Sequence, residues 1–233
     1  AFCVIVAVMP KTIATHDGKF HADDVFAVAA LLLLEKGASV VRTRNEAKLA
    51  EADIVVDVGG VSDIDRNRFD HHQMLGAGVR ENGIPYAAFG LVWKKFGNEL
   101  SGNEEVAAQV DTVLVAPIDA NDNGINLSTP KSAGPSPYDI SDAIRSFVPT
   151  WQEDQNTVAT AFDEAVFFAR RIITREVRRA EAIIAGQHKV TDAYRASSDK
   201  RLILLDEDYS WKDTLARLPE PLFVIHPQEE TWR

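Results

Sequence analysis

The sequence predicts an α/β fold in which a parallel sheet carries helices on both faces. Short segments rich in β-branched residues alternate with longer apolar or amphipathic segments through the first half of the chain. The segment Asp53–Val58 is apolar on both strand faces, which is typical of a buried strand in a parallel sheet. The composition agrees with a globular domain, because 45% of the 233 residues are hydrophobic and 26% are charged.

The first domain is predicted to span residues 1–152. Its strands are expected at Lys11–Thr15, Ser39–Thr43 and Asp53–Val58, with a further short element at Asn67–Phe69. Its helices are expected at Ala22–Lys36, Asn45–Ala52, Tyr86–Phe96, Glu104–Val115 and Ile140–Phe147. Gly37 is the expected stop of the first helix and Asn45 the N-cap of the second, while the stretch Asn121–Pro137 predicts a loop.

The pattern changes after residue 152. Residues 153–187 predict a long connecting helix, which is amphipathic over Thr157–Ala185. Residues 188–233 predict the start of a smaller α+β domain, with strands at Arg201–Leu205 and Pro221–His226. We expect this second domain to be truncated, because the chain stops within what should be a strand or hairpin.

Composition also bears on compartment and partners. Cys3 is the single cysteine, so an internal disulfide is excluded and an intracellular location is expected. The apolar run Ala1–Pro10 is too short to span a bilayer, and no membrane is expected as a partner. This run could be a leader remnant, an edge strand or foreign residues before a start at Met9. The net charge of −10 argues against a large basic surface, but not against a nucleic-acid enzyme whose carboxylates hold cations.

Histidines and aspartates recur where the predicted elements end. They are His16, His21, Asp23, Asp57, Asp70, His71, His72, Asp119 and Asp122. Sites in parallel α/β sheets form at the carboxyl ends of strands, so we expect these side chains to meet. Taken singly, each could be a loop residue that makes ordinary hydrogen bonds, and Asp119 or Asp122 could merely support an Asx turn.

Imidazole and carboxylate groups without thiolate suit Mn²⁺, Zn²⁺ or Fe²⁺, or Mg²⁺ if fewer histidines bind. About six such groups exceed the needs of one ion, so two ions with a shared carboxylate are expected, an arrangement that serves displacement at phosphorus. Asp57 is the expected bridge, since an unpaired aspartate on a buried strand costs free energy. His72 is expected to contact the scissile phosphate, and Asp57, Asp70 and His72 are the catalytic candidates.

Four motifs together resemble one known family. They are Thr15–Asp24, Asp53–Gly60, Asp70–Gln73 and Asp119–Ile125, with Pro149–Trp151 and Ser210–Asp213 as further matches. On these residues the chain resembles the melanocyte proliferating gene family nearly from end to end. That family lies within the DHH phosphoesterase superfamily, which also includes family II inorganic pyrophosphatases.

The resemblance implies a Mn²⁺-dependent 3′→5′ exoribonuclease whose substrate is single-stranded RNA or a short oligonucleotide. It implies a cytoplasmic location, or a mitochondrial or nuclear one if the source is eukaryotic. The metal ligands that it implies are His16, His21, Asp23, Asp57, His71 and Asp119, and Asp122 competes with Asp119 for the last position.

Three functional hypotheses stay open. The first is an exoribonuclease that uses a hydroxide activated by two metal ions. The second is a phosphatase or phosphodiesterase for short oligonucleotides, nucleotides or pyrophosphate, and the third is a non-catalytic regulatory protein that binds metal. Arg145 and Lys212 are the candidate substrate-binding residues, and the arginine-rich segment Arg170–Arg179 could guide RNA or form a solvated helix face.

Overall fold

A computed structural model describes residues 10–128, 134, 137–228 and 231–232. The apolar run predicted as a leader or edge strand therefore lies outside the described residues, apart from Pro10. The chain forms two compact units, Ala1–Arg175 and Glu176–Arg233. The division falls within the long helix, whereas the boundaries predicted from the sequence lie at residues 152 and 187.

The first unit is built on a five-stranded sheet with the order β2-β1-β3-β5-β4. The strands are β1 (Thr12–Thr15), β2 (Ser39–Arg42), β3 (Ile54–Val56), β4 (Ser62–Asp63) and β5 (Arg68–Phe69). All neighbours are parallel except the edge strand β4, which the sequence pattern did not predict. The chain passes from β1 to β2 on one side and returns to β3 on the other, so the topological switch point lies between the ends of β1 and β3.

Helices flank this sheet, as predicted. They are α1 (Ala22–Leu34), α2 (Glu46–Glu51), α3 (Ala88–Ser101), α4 (Glu104–Val110), α5 (Ala116–Asp122) and α6 (Ile140–Arg145). Asn45 is the N-cap of α2, since its side chain accepts a hydrogen bond of 3.1 Å from the Lys48 backbone N–H. The core forms where Leu49 of α2 packs with Ala14 and Val55 of the sheet, and where α1 packs against α3.

The stretch from Glu104 to Asp122 differs from the prediction of one helix followed by a loop. A π-helical turn at Asp111–Val115 joins α4 to α5, and α5 then continues to Asp122. Pro117, in the first turn of α5, has no backbone N–H to donate to the preceding turn, so a regular α-helical hydrogen bond is missing next to the π-helical turn. Asp119 and Asp122 therefore lie on one helix, one turn apart, although the predicted loop Asn121–Pro137 included Asp122.

The second unit contains the end of α7 (Val158–Ala196), which runs through both units and reaches Ala196 instead of the predicted Ala185. Gly186 lies within this helix, and the Tyr209 side chain packs next to it, where a Cβ would make only an ordinary contact. Beyond α7 lie β6 (Leu202–Leu204), α8 (Lys212–Leu215), β7 (Phe223–Ile225), β8 (Pro227–Gln228) and β9 (Thr231–Trp232). The pair β6 and β7 is parallel, and its small core contains Val190, Ile203, Leu205 and Leu215.

Within the described part of the chain, no helix has both the length and the hydrophobicity that crossing a membrane requires.

Candidate metal centre

The centre of the site is Asp57, the residue that follows β3 at the switch point. Its backbone N–H donates to the Phe69 carbonyl at 2.9 Å, which continues the pairing between β3 and β5. Its φ of +54° is left-handed, a conformation that aspartate tolerates better than most residues but that still costs free energy. The fold thus holds this buried carboxylate in a strained conformation at the end of the central strand.

The two carboxylate oxygens of Asp57 face different histidines. Oδ2 lies 3.4 Å from His16 Nε2, and Oδ1 lies 3.4 Å from His71 Nε2. His16 follows β1 and His71 follows β5, so the parallel strands on both sides of β3 supply the imidazoles. Asp57 therefore joins two groups of potential ligands.

The first group contains His16, His21, Asp24 and Asp57, whose nearest ligand atoms lie within 4.8 Å of one another. The His16 ring is oriented by its Nδ1, which lies 3.0 Å from the Asp17 carbonyl oxygen, so Nε2 points at the carboxylates. Asp24 Oδ2 lies 3.3 Å from that Nε2, and Asp24 Oδ1 accepts a hydrogen bond of 2.7 Å from the His21 backbone N–H. Asp24 thus caps α1 and faces the site at the same time.

Two further groups share His71, and the ligand atoms within each again lie within 4.8 Å of one another: Asp57, His71 and His72 form one, and Asp23, His71 and Asp122 form the other. His71 Nε2 lies 3.1 Å from Asp122 Oδ2 and 4.0 Å from Asp23 Oδ2. The Asp23 carboxylate also accepts hydrogen bonds from the backbone N–H groups of Ala88 and Phe89, at 2.9 and 2.7 Å. Asp23 consequently fixes the start of α3, which has no side-chain cap of its own.

Asp70 and His72 form a pair at the rim. Asp70 Oδ1 lies 2.8 Å from His72 Nδ1 and accepts a hydrogen bond of 3.0 Å from the His72 backbone N–H. Asp70 Oδ2 accepts a third hydrogen bond, of 2.6 Å, from Gly60 N–H. The Asp70 carboxylate is occupied by these contacts, so it orients the exposed imidazole of His72.

Burial and mutual contact shift the pKa values in opposite directions. Burial lowers the pKa of His71, but contact with Asp122 and Asp57 outweighs it and raises that pKa to about 11. Burial raises the pKa of Asp57, yet the two histidines outweigh it and lower that pKa to about 2. Burial raises the pKa of Asp24 to about 7. The Asp57 side chain at the centre of the cluster is therefore favoured as the carboxylate anion, and the protonated form of His71 is favoured beside it.

The donor set fits bound divalent cations. Three of the buried atoms that lack a hydrogen-bond partner in the described structure belong to these His and Asp groups, namely Asp24 Oδ2, Asp57 Oδ1 and His71 Nε2. Buried polar atoms without partners are costly and rare unless an ion or water completes them. Neighbouring ligands at about 2.1 Å from one ion are about 3.0–3.4 Å apart, which matches the separations around Asp57. These His and Asp clusters could therefore hold metal ions, with nitrogen and oxygen donors and no thiolate.

Asp119, one of the two candidates for the last ligand, lies outside these groups. It belongs to the arginine network, which consists of Arg80, Asp111 and Asp119. Arg80 Nη1 donates to Asp119 Oδ2 at 2.7 Å, and the Gly90 backbone N–H donates to Asp119 Oδ1 at 3.0 Å. Both Asp119 oxygens are thus engaged, whereas Asp122 faces His71, so the geometry favours Asp122 as the ligand.

Asp24 belongs to the first ligand group, although it is not among the site residues predicted from the sequence. It is fully buried beside His16. The one available signal was the position of the Asp23-Asp24 pair at the start of the otherwise apolar segment Ala22–Leu34, where both carboxylates are buried.

The cluster opens into a cavity of about 660 Å³, a size typical of ligand sites. Three cations line this cavity, namely Lys19, Arg44 and Arg145. Arg145 was predicted from the sequence, and its Nη1 also lies 2.8 Å from Asp142 Oδ1. Lys212 lies at the start of α8 in the second unit, so its role toward substrate stays a prediction.

Comparison with known proteins places these features in a family. The model of the MYG1 exonuclease family, described as Uncharacterised protein family (UPF0160), matches residues 12–233. A MYG1 exonuclease of Mus musculus is 34% identical in an alignment that covers 96% of this chain and 68% of the mouse protein. A MYG1 protein of Schizosaccharomyces pombe is 30% identical over 95% of this chain and 77% of its own length.

Other relatives match over a shorter segment. The Homo sapiens MYG1 exonuclease is 37% identical over 175 residues, which cover 64% of this chain and 46% of the human protein. The chain thus spans less than half of that relative, and no solved structure matches significantly. The family match covers the whole metal centre and nearly all of the chain, and the chain therefore belongs to the MYG1 family.

Proposed function

We propose that this chain is a metal-dependent phosphodiesterase that acts as a 3′→5′ exoribonuclease. Relatives named MYG1 exonuclease support a nuclease, which is a hydrolase with a nucleic-acid substrate. The preference for RNA, the direction of digestion and the use of two metal ions are the finer parts of the proposal. They are supported by the motif resemblance and by the geometry of the centre.

The observation that carries the proposal is the position of Asp57 between two imidazoles. One carboxylate oxygen lies 3.4 Å from His16 and the other lies 3.4 Å from His71. A carboxylate with one oxygen in each of two ligand groups is the arrangement of a bridged pair of ions. Such pairs serve displacement at phosphorus, because the attacking and leaving oxygens are both stabilised.

We assign His16, His21 and Asp57 to one Mn²⁺ ion, and Asp23, Asp57, His71 and Asp122 to the other. When bound, the ions would supply Lewis-acid stabilisation of the phosphoryl oxygens and a water of lowered pKa. Asp24 supports the first group, since it faces His16 and holds the His21 backbone in place. Asp23 supports the second, since its hydrogen bonds to the start of α3 fix its direction.

His72 is assigned to the substrate phosphate. Asp70 holds its Nδ1, which leaves Nε2 directed toward the substrate, and the side chain lines the cavity. A protonated imidazole can donate to a phosphoryl oxygen and stabilise the charge that develops there. Arg145 of α6 lines the same cavity and offers its remaining guanidinium donors to a second phosphate oxygen.

The test is hydrolysis of 3′-labelled single-stranded RNA with Mn²⁺ by the wild type, by Asp57→Asn and by Asp65→Asn. Asp65 is an exposed turn residue, so its variant repeats the chemical change away from the site. We expect stepwise release of nucleoside monophosphates by the wild type and Asp65→Asn, with a loss of about 10³-fold or more in Asp57→Asn.

Other outcomes separate the remaining hypotheses. Hydrolysis of a dinucleotide without hydrolysis of long RNA would favour an enzyme for short oligonucleotides. Mn²⁺ binding without hydrolysis of any phosphoester would contradict the enzyme and favour the metal-binding regulatory protein.

A further inference from the structure

We propose that Lys19 and Arg44 form a phosphate-binding subsite beside the metal centre, which binds the phosphodiester next to the scissile one. The inference rests on the proposed function, because it takes the substrate to be a nucleic acid. It adds a binding site outside the metal ligands, and a substrate needs at least two phosphodiesters to occupy both that site and the metal centre.

Arg44 is held next to the metal centre by its contact with Asp17. Its Nε lies 3.4 Å from Asp17 Oδ1, and the Asp17 carbonyl oxygen lies 3.0 Å from Nδ1 of the ligand His16. The guanidinium group is therefore anchored through one nitrogen to the residue that orients His16. Arg44 and Asp17 are both more than half exposed, at 63% and 59%, so their ion pair is weak and leaves Arg44 able to bind an anion.

Arg42 and Arg44, which lie at and just after the end of β2, differ in how many contacts their side chains make. Arg42 Nη2 donates to the Gly18 carbonyl at 2.7 Å, and its guanidinium lies 4.4 Å from the centre of the Phe162 ring. Arg42 thus braces the loop between His16 and His21. Among the described residues, the two Nη groups of Arg44 make no such contact, and Arg44 is one of the residues that line the cavity.

Lys19 supplies the second positive charge from the loop that carries the first metal ligands. Its side chain lines the cavity, and no hydrogen bond or ion pair of its amino group occurs with the residues that the structure describes. Arg145, by comparison, is already paired with Asp142 at 2.8 Å. Lys19 and Arg44 are therefore the two cations at this cavity with the weaker contacts to carboxylates of the described structure.

Phosphate is the anion that this pair fits best. A guanidinium group offers paired N–H donors to two phosphate oxygens, and an ammonium group adds a compact charge. The cavity of about 660 Å³ exceeds what a single phosphate needs, so a nucleotide unit can extend from the metal centre to the pair. In a nucleic acid the anion reached by such an extension is the neighbouring phosphodiester.

The test measures binding of two short ligands to the full chain with Mn²⁺ by fluorescence anisotropy. One is a labelled trinucleotide with two phosphorothioate diesters, which resist hydrolysis, and the other is a labelled dinucleotide with one. Arg44→Gln and Lys19→Gln are compared with Arg66→Gln, which removes the same charge from an exposed turn away from the cavity. Arg44→Lys tests whether the guanidinium geometry matters.

We expect each cavity variant to weaken trinucleotide binding by about tenfold and dinucleotide binding by less than about twofold. The dependence of log Kd on log salt should also fall by about 0.7 for each lost phosphate contact. Arg66→Gln should bind both ligands like the wild type, and Arg44→Lys should recover part of the loss.

The subsite is contradicted by equal losses for both ligands, by no loss in either cavity variant, or by a wild type that prefers the dinucleotide or binds neither ligand. Thermal unfolding of each variant confirms that the fold is retained. Hydrolysis of unmodified RNA is measured separately. A wild type that binds the trinucleotide through Arg44 but cleaves no RNA would contradict the proposed enzyme and leave the subsite standing.

Discussion

Two groups of buried carboxylates lie in the same unit, and they differ in whether the protein itself neutralises them. In the arginine network, all four oxygens of Asp111 and Asp119 accept hydrogen bonds, three from Arg80 and one from Gly90. In the metal centre, Asp24 Oδ2, Asp57 Oδ1 and His71 Nε2 have no hydrogen-bond partner within the described structure. Both groups contain aspartates, yet only in the arginine network does every carboxylate oxygen accept a hydrogen bond from the protein.

The difference teaches how to tell a structural acid from a ligand. In a buried ion pair whose carboxylate oxygens all accept hydrogen bonds, the protein itself offsets the desolvation of the carboxylates, and no further cation is needed. A buried carboxylate with an open oxygen beside an imidazole is costly until a cation binds. Asp119 and Asp122 lie one helical turn apart, and their partners distinguish them, because Asp119 pairs with Arg80 whereas Asp122 faces His71.

The largest expected effect is in the arginine network. Asp119→Ala leaves the Arg80 guanidinium partly unpaired in the interior, so we expect a loss of about 3–5 kcal/mol in the free energy of unfolding. Urea unfolding measures it. An unchanged stability would mean that the network is not needed for the fold, and the contrast with the metal centre would fail.

Gly90 tests the same network through packing. A Cβ at Gly90 would lie 1.8 Å from Asp119 Oδ2, so Gly90→Ala must displace the carboxylate and should cost about 3 kcal/mol. The matched control is Gly186→Ala in α7, where the Cβ would meet Tyr209 at 3.5 Å, an ordinary contact. Helix propensity then predicts a gain of up to about 1 kcal/mol for that variant. Opposite signs in thermal unfolding would confirm the crowding at Gly90.

Addition of Mn²⁺ tests the metal centre. At a Mn²⁺ concentration of 100 times Kd, one bound ion stabilises the native state by about 2.7 kcal/mol, which raises Tm by roughly 5–10 °C. Asp57→Asn should abolish this increase, because Asp57 faces both ligand groups. Differential scanning calorimetry with and without chelator provides the measurement. A full Mn²⁺ response in Asp57→Asn would contradict the bridge.

Asp24 is expected to have the smallest effect. Asp24→Asn keeps the oxygen that accepts from the His21 N–H but removes the negative charge 3.3 Å from His16 Nε2. We expect Mn²⁺ affinity to fall by about 10–100-fold, as for residues that support metal ligands. Isothermal titration calorimetry measures it, with Asp65→Asn as the exposed control. Equal affinities would assign Asp24 to helix capping alone.

Much of the site could be predicted because local sequence sets it. A β-branched run followed by a polar loop marks the carboxyl end of a parallel strand, and this places His16 after β1 and Asp57 after β3. The strand order β2-β1-β3 then brings the two ends together. The motif resemblance pointed to the same residues, and the family match confirmed that the chain belongs to the family.

The sequence by itself determined the α/β class, the order of the elements and the loops that carry the histidines, because these follow from hydrophobic period and from turn residues. Only the tertiary structure distinguished the aspartates by their partners. Arg80 reaches Asp119 across 39 residues of sequence, and Asp122 turns toward His71, whose position depends on β5. The contact of Asp24 with His16 and the continuation of the helix to Asp122 likewise emerged only in the tertiary structure, because packing between elements can override local propensity.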